Sequence, residues 1–231
     1  MVANNLNFWK YQWGKNDWIV LENDYNSQIY KIRSDGTQLS QFTSNGNSFF
    51  PFLSITGDTI FFSNYGSSAN GIIANIQTNI FLDSVPGMYR MGSFLGDGRI
   101  VCNLADEDTI RIIDATTLNT VDKFHVDNGS PNFSGYSFLY KVNNNINSVI
   151  ALSPLLSIDE ININTHSAQI VRHACGSDMI KFHSVSRDGN EIAFTVVRNS
   201  NTNTSPCLVT TKQEIHIMNI DGSNEQLISF P

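Results

Sequence analysis

Two ten-residue segments 186 residues apart carry the feature that most constrains this chain. They are Gln28-Ile29-Tyr30-Lys31-Ile32-Arg33-Ser34-Asp35-Gly36-Thr37 and Glu214-Ile215-His216-Ile217-Met218-Asn219-Ile220-Asp221-Gly222-Ser223. Each alternates apolar and polar side chains, then breaks at Asp-Gly followed by a small hydroxyl residue. Period-two alternation marks a half-buried strand, and Asp-Gly marks a tight hairpin turn, where positive φ is tolerated. A second signal is a turn that runs straight into a β-rich strand. It occurs at Gly57-Asp58-Thr59-Ile60-Phe61-Phe62, at Gly96-Asp97-Gly98-Arg99-Ile100-Val101 and at Asp188-Gly189-Asn190-Glu191-Ile192-Ala193-Phe194. Weaker forms start at Gly14 and at Asn143. Aligning Ile19, Ile60, Ile100, Val149 and Ile192 gives steps of 41, 40, 49 and 43 residues.

A step of that length suits a four-stranded propeller blade. The expected fold is therefore all-β: a single β-propeller over 1–231, of about five four-stranded antiparallel blades near 7–47, 48–86, 87–130, 131–177 and 178–231. A truncated six-bladed parent is the alternative. In blade one the strands are expected at Phe8 to Trp13, Trp18 to Glu22, Gln28 to Arg33 and Gln38 to Thr43. The first strands of the later blades are expected at Phe49 to Ser54, Met88 to Ser93, Phe133 to Phe138 and Met179 to Ser184. No strand is left over to be shared between the first and last blades. Phe8, Trp9, Tyr11 and Trp13 are therefore expected to bury at a seam with Leu227, Ile228 and Phe230. Composition agrees: 41% hydrophobic residues supply a core, and only 15% are charged, fewer than a helical protein needs.

The segments Ile215 to Asn224 and Ser186 to Phe194 resemble the WD40-like propeller repeat of the TolB family, in which a Ser-Pro-Asp-Gly turn precedes an Ile-Ala-Phe strand. Here Arg187 stands where that repeat has Pro. Blades one, two and five carry the resemblance in motif; blades three and four follow it only in rhythm. The resemblance implies a non-catalytic protein-interaction or binding module, and it says almost nothing about chemistry, because fold does not fix function.

Charge narrows the partners. The formal net charge is −7 and Lys and Arg never cluster, so no nucleic-acid partner is expected. No apolar stretch approaches the roughly 20 residues of a membrane helix, so no membrane insertion is expected. Met1-Val2-Ala3-Asn4-Asn5 lacks a signal-peptide pattern. That start fits a cytoplasmic protein, or a periplasmic or secreted one whose signal has been removed. Cys102, Cys175 and Cys207 are odd in number and far apart, which fits neither a disulfide framework nor a metal site.

The innermost strand of each blade is where a propeller places catalytic groups. None of the five expected here contains Asp or Glu, so the paired carboxylates of a glycosidase are missing. The five histidines show no metal-ligand spacing, and no Gly-x-Ser-x-Gly elbow occurs. No enzyme activity, catalytic residue, metal or cofactor is expected. The inner-strand aromatics read most simply as inter-blade packing, and Lys10, Arg90 and Lys181 as solvated or paired cations.

Residues expected to bind a partner or ligand lie at the rim that carries the second-to-third-strand turns. They are Tyr25, Tyr65, the acidic tip Asp106 to Asp108, Lys181, His183, and Cys207 with Leu208. The last two fall in a long connection, Asn199 to Gln213, whose length reads as either an insertion or an interaction loop. The expected partner is a protein or a small ligand at this rim. A lectin-like propeller and the accessory propeller of a larger enzyme are the alternatives.

Overall fold

The computed structural model describes residues 8–66, 69–87, 89–104, 109–126, 137–141, 147–152, 157–175, 178–186, 189–200 and 210–228. Among these, all regular structure is strand, gathered in five four-stranded antiparallel sheets that each follow chain order. Blade one is β1 (Phe8–Trp13), β2 (Trp18–Asn23), β3 (Gln28–Arg33) and β4 (Ser40–Gln41). Blade two is β5 (Asn47–Leu53), β6 (Thr59–Tyr65), β7 (Ala69–Asn75) and β8 (Ile80–Pro86). Blade three is β9 (Tyr89–Phe94), β10 (Arg99–Leu104), β11 (Ile110–Asp114) and β12 (Thr120–Phe124). These three form one compact unit, Met1–His125. A second, Val126–Pro231, holds the other two. Blade four is β13 (Ser137–Lys141), β14 (Ser148–Leu152), β15 (Ser157–Asn162) and β16 (Ser167–His173). Blade five is β17 (Met179–Val185), β18 (Glu191–Ser200), β19 (Thr210–Asn219) and β20 (Gln226–Ile228).

The turns between third and fourth strands come in two forms. In blades one and five, Asp35 and Asp221 accept the amide and hydroxyl of Thr37 and Ser223, and Gly36 and Gly222 take φ of 82° and 84°. Blades two, three and four instead use Asn75, Asp114 and Asn162. Each accepts the amides two and three residues on, and Asn79, Leu118 and His166 then take φ of 55–57°. These are Asx turns, in which a short side chain mimics a backbone turn. One backbone bond recurs in all five blades and ties this turn to the preceding hairpin. Its donors are Ser34, Ile76, Ala115, Ile163 and Ile220, and its acceptors Asp17, Asp58, Gly98, Asn147 and Asn190.

The core lies between blades, so the second strand of each is buried on both faces. Ile60 and Phe62 pack with Trp18, Val20 and Ile29 of blade one, while Phe61 between them packs with Phe94 and Ile100 of blade three. In the second unit Ile150 and Ile158 meet Ile192, Phe194 and Val196. A strand covered on both sides shows no alternation, which explains continuous runs such as Ile60-Phe61-Phe62 and Val149-Ile150-Ala151.

Four expectations are corrected. Strand β4 is shorter than Gln38 to Thr43, because Gln38 turns to φ 55° and the Thr43 hydroxyl takes the Ile29 amide that a longer strand would bond. Blade four opens at Ser137, not Phe133, in register with Leu152; residues 131–136 lie outside the described region. Most of the flanks expected in the 199–213 connection are strand: Asn199 pairs with Thr211 and Ser200 with Thr210. Lastly, Trp13 is 58% exposed and Leu227 53%, so neither ring nor chain is buried at a seam. Phe230 and the side chain of Trp9 lie outside the described residues.

Candidate functional site at the rim of the first unit

Blades one and two present their second-to-third-strand turns side by side. At the first, the Asn23 side chain accepts the Tyr25 amide at 2.8 Å and holds a turn that leaves Tyr25 77% exposed. The same turn is tied to the next blade, since the Ser48 amide donates to the Ser27 carbonyl at 2.7 Å and Gln28 Nε2 donates to the Gly46 carbonyl. At the second, Tyr65 ends β6 and packs edge-on against Phe49, with ring centroids 5.3 Å apart. Tyr30 extends this aromatic margin: its ring meets Phe8 at 5.6 Å and its hydroxyl accepts from Asn26 at 2.9 Å. Tyr25 and Tyr65 therefore occupy the same end of adjacent, stapled blades.

Behind this margin sits a charged pair. Lys10 and Glu22 are direct partners on the β1–β2 ladder, so their side chains share one face. Glu22 is 0% exposed, and its Oε2 accepts the amide of Phe50 at 2.8 Å. Pro51 has no N–H for the β5–β6 ladder, and the register breaks there in a bulge between Phe49 and Phe52. Within the bulge Phe50 takes φ 56°, a left-handed conformation costly for a residue with a ring on Cβ. Its ring lies over Lys10 Nζ, 3.9 Å from the centroid. Burial pushes the Lys10 ammonium down to about 8, and the opposing pull of Glu22 only partly offsets it.

A second polar cluster lies in the other unit. Glu214 of β19 accepts Arg198 Nε at 2.6 Å and lies 2.7 Å from Lys212 Nζ, while Arg198 also donates to Asp178 at 2.8 Å. His216 places Nε2 3.4 Å from Glu214 and Nδ1 2.9 Å from Glu225, and its ring stacks on Phe194. Arg172 of blade four closes the chain by donating to Glu225 at 2.7 Å. The bonds from Lys212 and Arg198 hold the Glu214 carboxyl down at about 2. The network clamps blade five to blade four.

Of the expected binding residues, Tyr25 and Tyr65 are brought to one rim. Lys181 is exposed on β17, opposite Thr195, and His183 lies in the same strand with its side chain outside the described region. Asp106, Asp108, Cys207 and Leu208 also lie outside the described residues. Reading the innermost strands for carboxylates overlooked Glu22, which reaches the same place from the second strand. Counting the β1–β2 hairpin back from its turn at Gly14 to Asp17 places Glu22 opposite the inner strand. Among the described residues no three His, Cys, Asp or Glu side chains are placed to hold a metal ion, and no helix is long and apolar enough to cross a membrane.

No protein-family model and no curated protein matches the chain. Solved structures do. Hydrazine synthase of Kuenenia stuttgartiensis is similar at 11% identity and TM-score 0.67, over 95% of this chain and 65% of that one. TolB from Acinetobacter baumannii is similar at 14% and 0.61, over 94% of this chain and 53% of that one. The Cps50 (Swd1) β-propeller domain of Myceliophteria thermophila is similar at 8% and 0.60, over 96% and 88%. The chain thus spans less than two thirds of the first two. At these identities the likeness is one of fold: a five-bladed β-propeller with TolB and WD40 neighbours.

Proposed function

We propose that this chain is a non-catalytic protein-interaction module whose partner docks on the aromatic rim of blades one and two. The observation that carries the reading is Tyr25, a large ring 77% exposed yet held at a turn fixed by Asn23 and stapled to the next blade. An exposed aromatic on a rigid turn loses little entropy when a partner covers it, and Tyr is enriched among the residues that dominate interface energies. Tyr65, set against Phe49, offers a second anchor on the same rim. The TolB and WD40 neighbours support an interaction role by analogy of fold alone.

The test begins with a photo-reactive phenylalanine placed singly at positions 25, 65 and 170 of the full chain and irradiated in native extract. Ile170 is an exposed outer-strand control in the other unit. The same protein is expected to couple at 25 and 65 and not at 170. With that partner purified, Tyr25→Ala is expected to weaken binding about tenfold or more. Equal coupling at 170, or unchanged affinity, would overturn the reading. A second reading, the accessory propeller of a larger enzyme, draws on the likeness to the hydrazine synthase chain; under it the coupled partner is a catalytic subunit.

A further inference from the structure

We propose that Lys10 is a covalent capture site for small aldehydes, with Glu22 as its proton-transfer partner. The inference is independent of the docking reading, since it concerns an amine behind the rim and not the rings upon it.

Three geometric facts carry it. Lys10 and Glu22 face each other directly across the β1–β2 ladder. Glu22 is wholly withdrawn from solvent and fixed by the Phe50 amide, so its carboxylate has one orientation. The aromatic face of Phe50 lies on the amine, and Phe50 is held in a left-handed conformation to put it there. Backbone strain of this kind persists only where the surroundings impose it, and it gathers at functional positions. A purely structural ion pair has no need of the strained ring, and an exposed Lys–Glu pair would serve packing as well.

The chemistry follows from the environment. An ordinary lysine is about 0.1% free base at neutral pH, whereas an amine titrating near 8 is roughly one tenth free base at pH 7. The nitrogen lone pair of the neutral amine attacks the aldehyde carbon, forming a C–N bond. Glu22 takes the proton from nitrogen and delivers it to the former carbonyl oxygen. Water then leaves, and the imine remains: one amine and one aldehyde give one imine and one water, with no change of oxidation state. A carboxylate beside a desolvated amine is the arrangement such transfers use. The covering ring selects for aldehydes of few carbons, and the protonated imine keeps the positive charge that Glu22 and the Phe50 face accommodate.

The experiment is a brief pulse of isotopically labelled formaldehyde on the full chain, with cyanoborohydride to trap the imine, followed by peptide mapping. At pH 7 Lys10 is expected to be labelled roughly tenfold faster than the exposed Lys15, Lys181 and Lys212. That lead should vanish by about pH 10.5, where all amines are free base. Lys10→Arg should remove the fast site alone. Glu22→Gln should slow labelling at position 10 relative to the other lysines, with the far-UV spectrum and cooperative unfolding retained. Labelling of Lys10 no faster than the exposed lysines at pH 7 would overturn the proposal. So would a Glu22→Gln chain that folds and labels at the parent's relative rate. If that variant does not fold, the parent's pH profile decides by itself.

Discussion

Glu214 shows how much a residue's neighbours control. Lys212 and Arg198 both bond its carboxylate, and this pair of contacts keeps the group ionised down to about pH 2, against 4.5 in an ordinary glutamate. Since the folded state binds this proton more weakly than the unfolded state, the stabilisation is complete above pH 4.5. It is lost as pH falls from there toward 2. Replacing Glu214 by Gln removes the charge but keeps the shape. Urea midpoints measured at pH 7, 4.5 and 2.5 should therefore fall less steeply for Glu214→Gln than for the parent, and the variant should start lower at pH 7. Parallel curves would mean that the clamp between blades four and five does not draw on this carboxylate. Asp35 and Asp221 are also held below the ordinary range, by bonds from Thr37 and Ser223, but both proteins share those terms and the comparison cancels them.

At the scale of the element, the turns do the organising. Gly36 and Gly222 hold equivalent places in blades one and five, with φ of 82° and 84°, yet their surroundings differ. A Cβ at Gly36 would meet nothing within 4 Å, whereas one at Gly222 would lie 2.7 Å from the Val171 carbonyl of blade four. Gly36→Ala should cost only the left-handed conformation, on the order of 1 kcal/mol. Gly222→Ala adds a clash with backbone that cannot swing aside, and should cost at least about 1 kcal/mol more. Equilibrium denaturation of both variants checks the difference; equal losses would show that blade five can shift away from β16. The other three blades make the same bend with Asn75, Asp114 and Asn162, and so need no glycine there.

Across each unit, stability resides between sheets and not within them. Phe61 is buried between blades two and three, stacked on Phe52 with centroids 5.0 Å apart. Truncating it leaves a cavity walled by two blades that are each held by their own ladders. Phe61→Ala is therefore expected to cost about 3–5 kcal/mol. Trp13→Ala, at a ring 58% exposed, should stay within about 0.5 kcal/mol of the parent. Chemical denaturation followed by far-UV circular dichroism separates the two. A large loss at Trp13 would restore the buried seam first expected of the inner-strand aromatics.

By itself, the sequence determined the class of fold and the number of blades. Period-two alternation, Asp-Gly turns and a step of about forty residues are local signals, written in residues a few positions apart. They placed β1 and β3 at the bounds observed, and put Tyr25 and Tyr65 at the ends of strands where turns belong. Blades three and four followed less clearly because their turn is an Asx-x-x-Thr motif, in which the marker is a side-chain bond and not a glycine. Tertiary structure alone decided the rest. Which of two buried faces a residue serves, as at Ile60 and Phe61, depends on the neighbouring blade. The Lys10–Glu22–Phe50 cluster joins three strands of two blades, and its strained ring arises because Pro51 withholds a hydrogen bond from a ladder whose register no short stretch of sequence reveals. Contacts of that kind are set by packing between elements, and the physics that selects them acts only once the sheets have met.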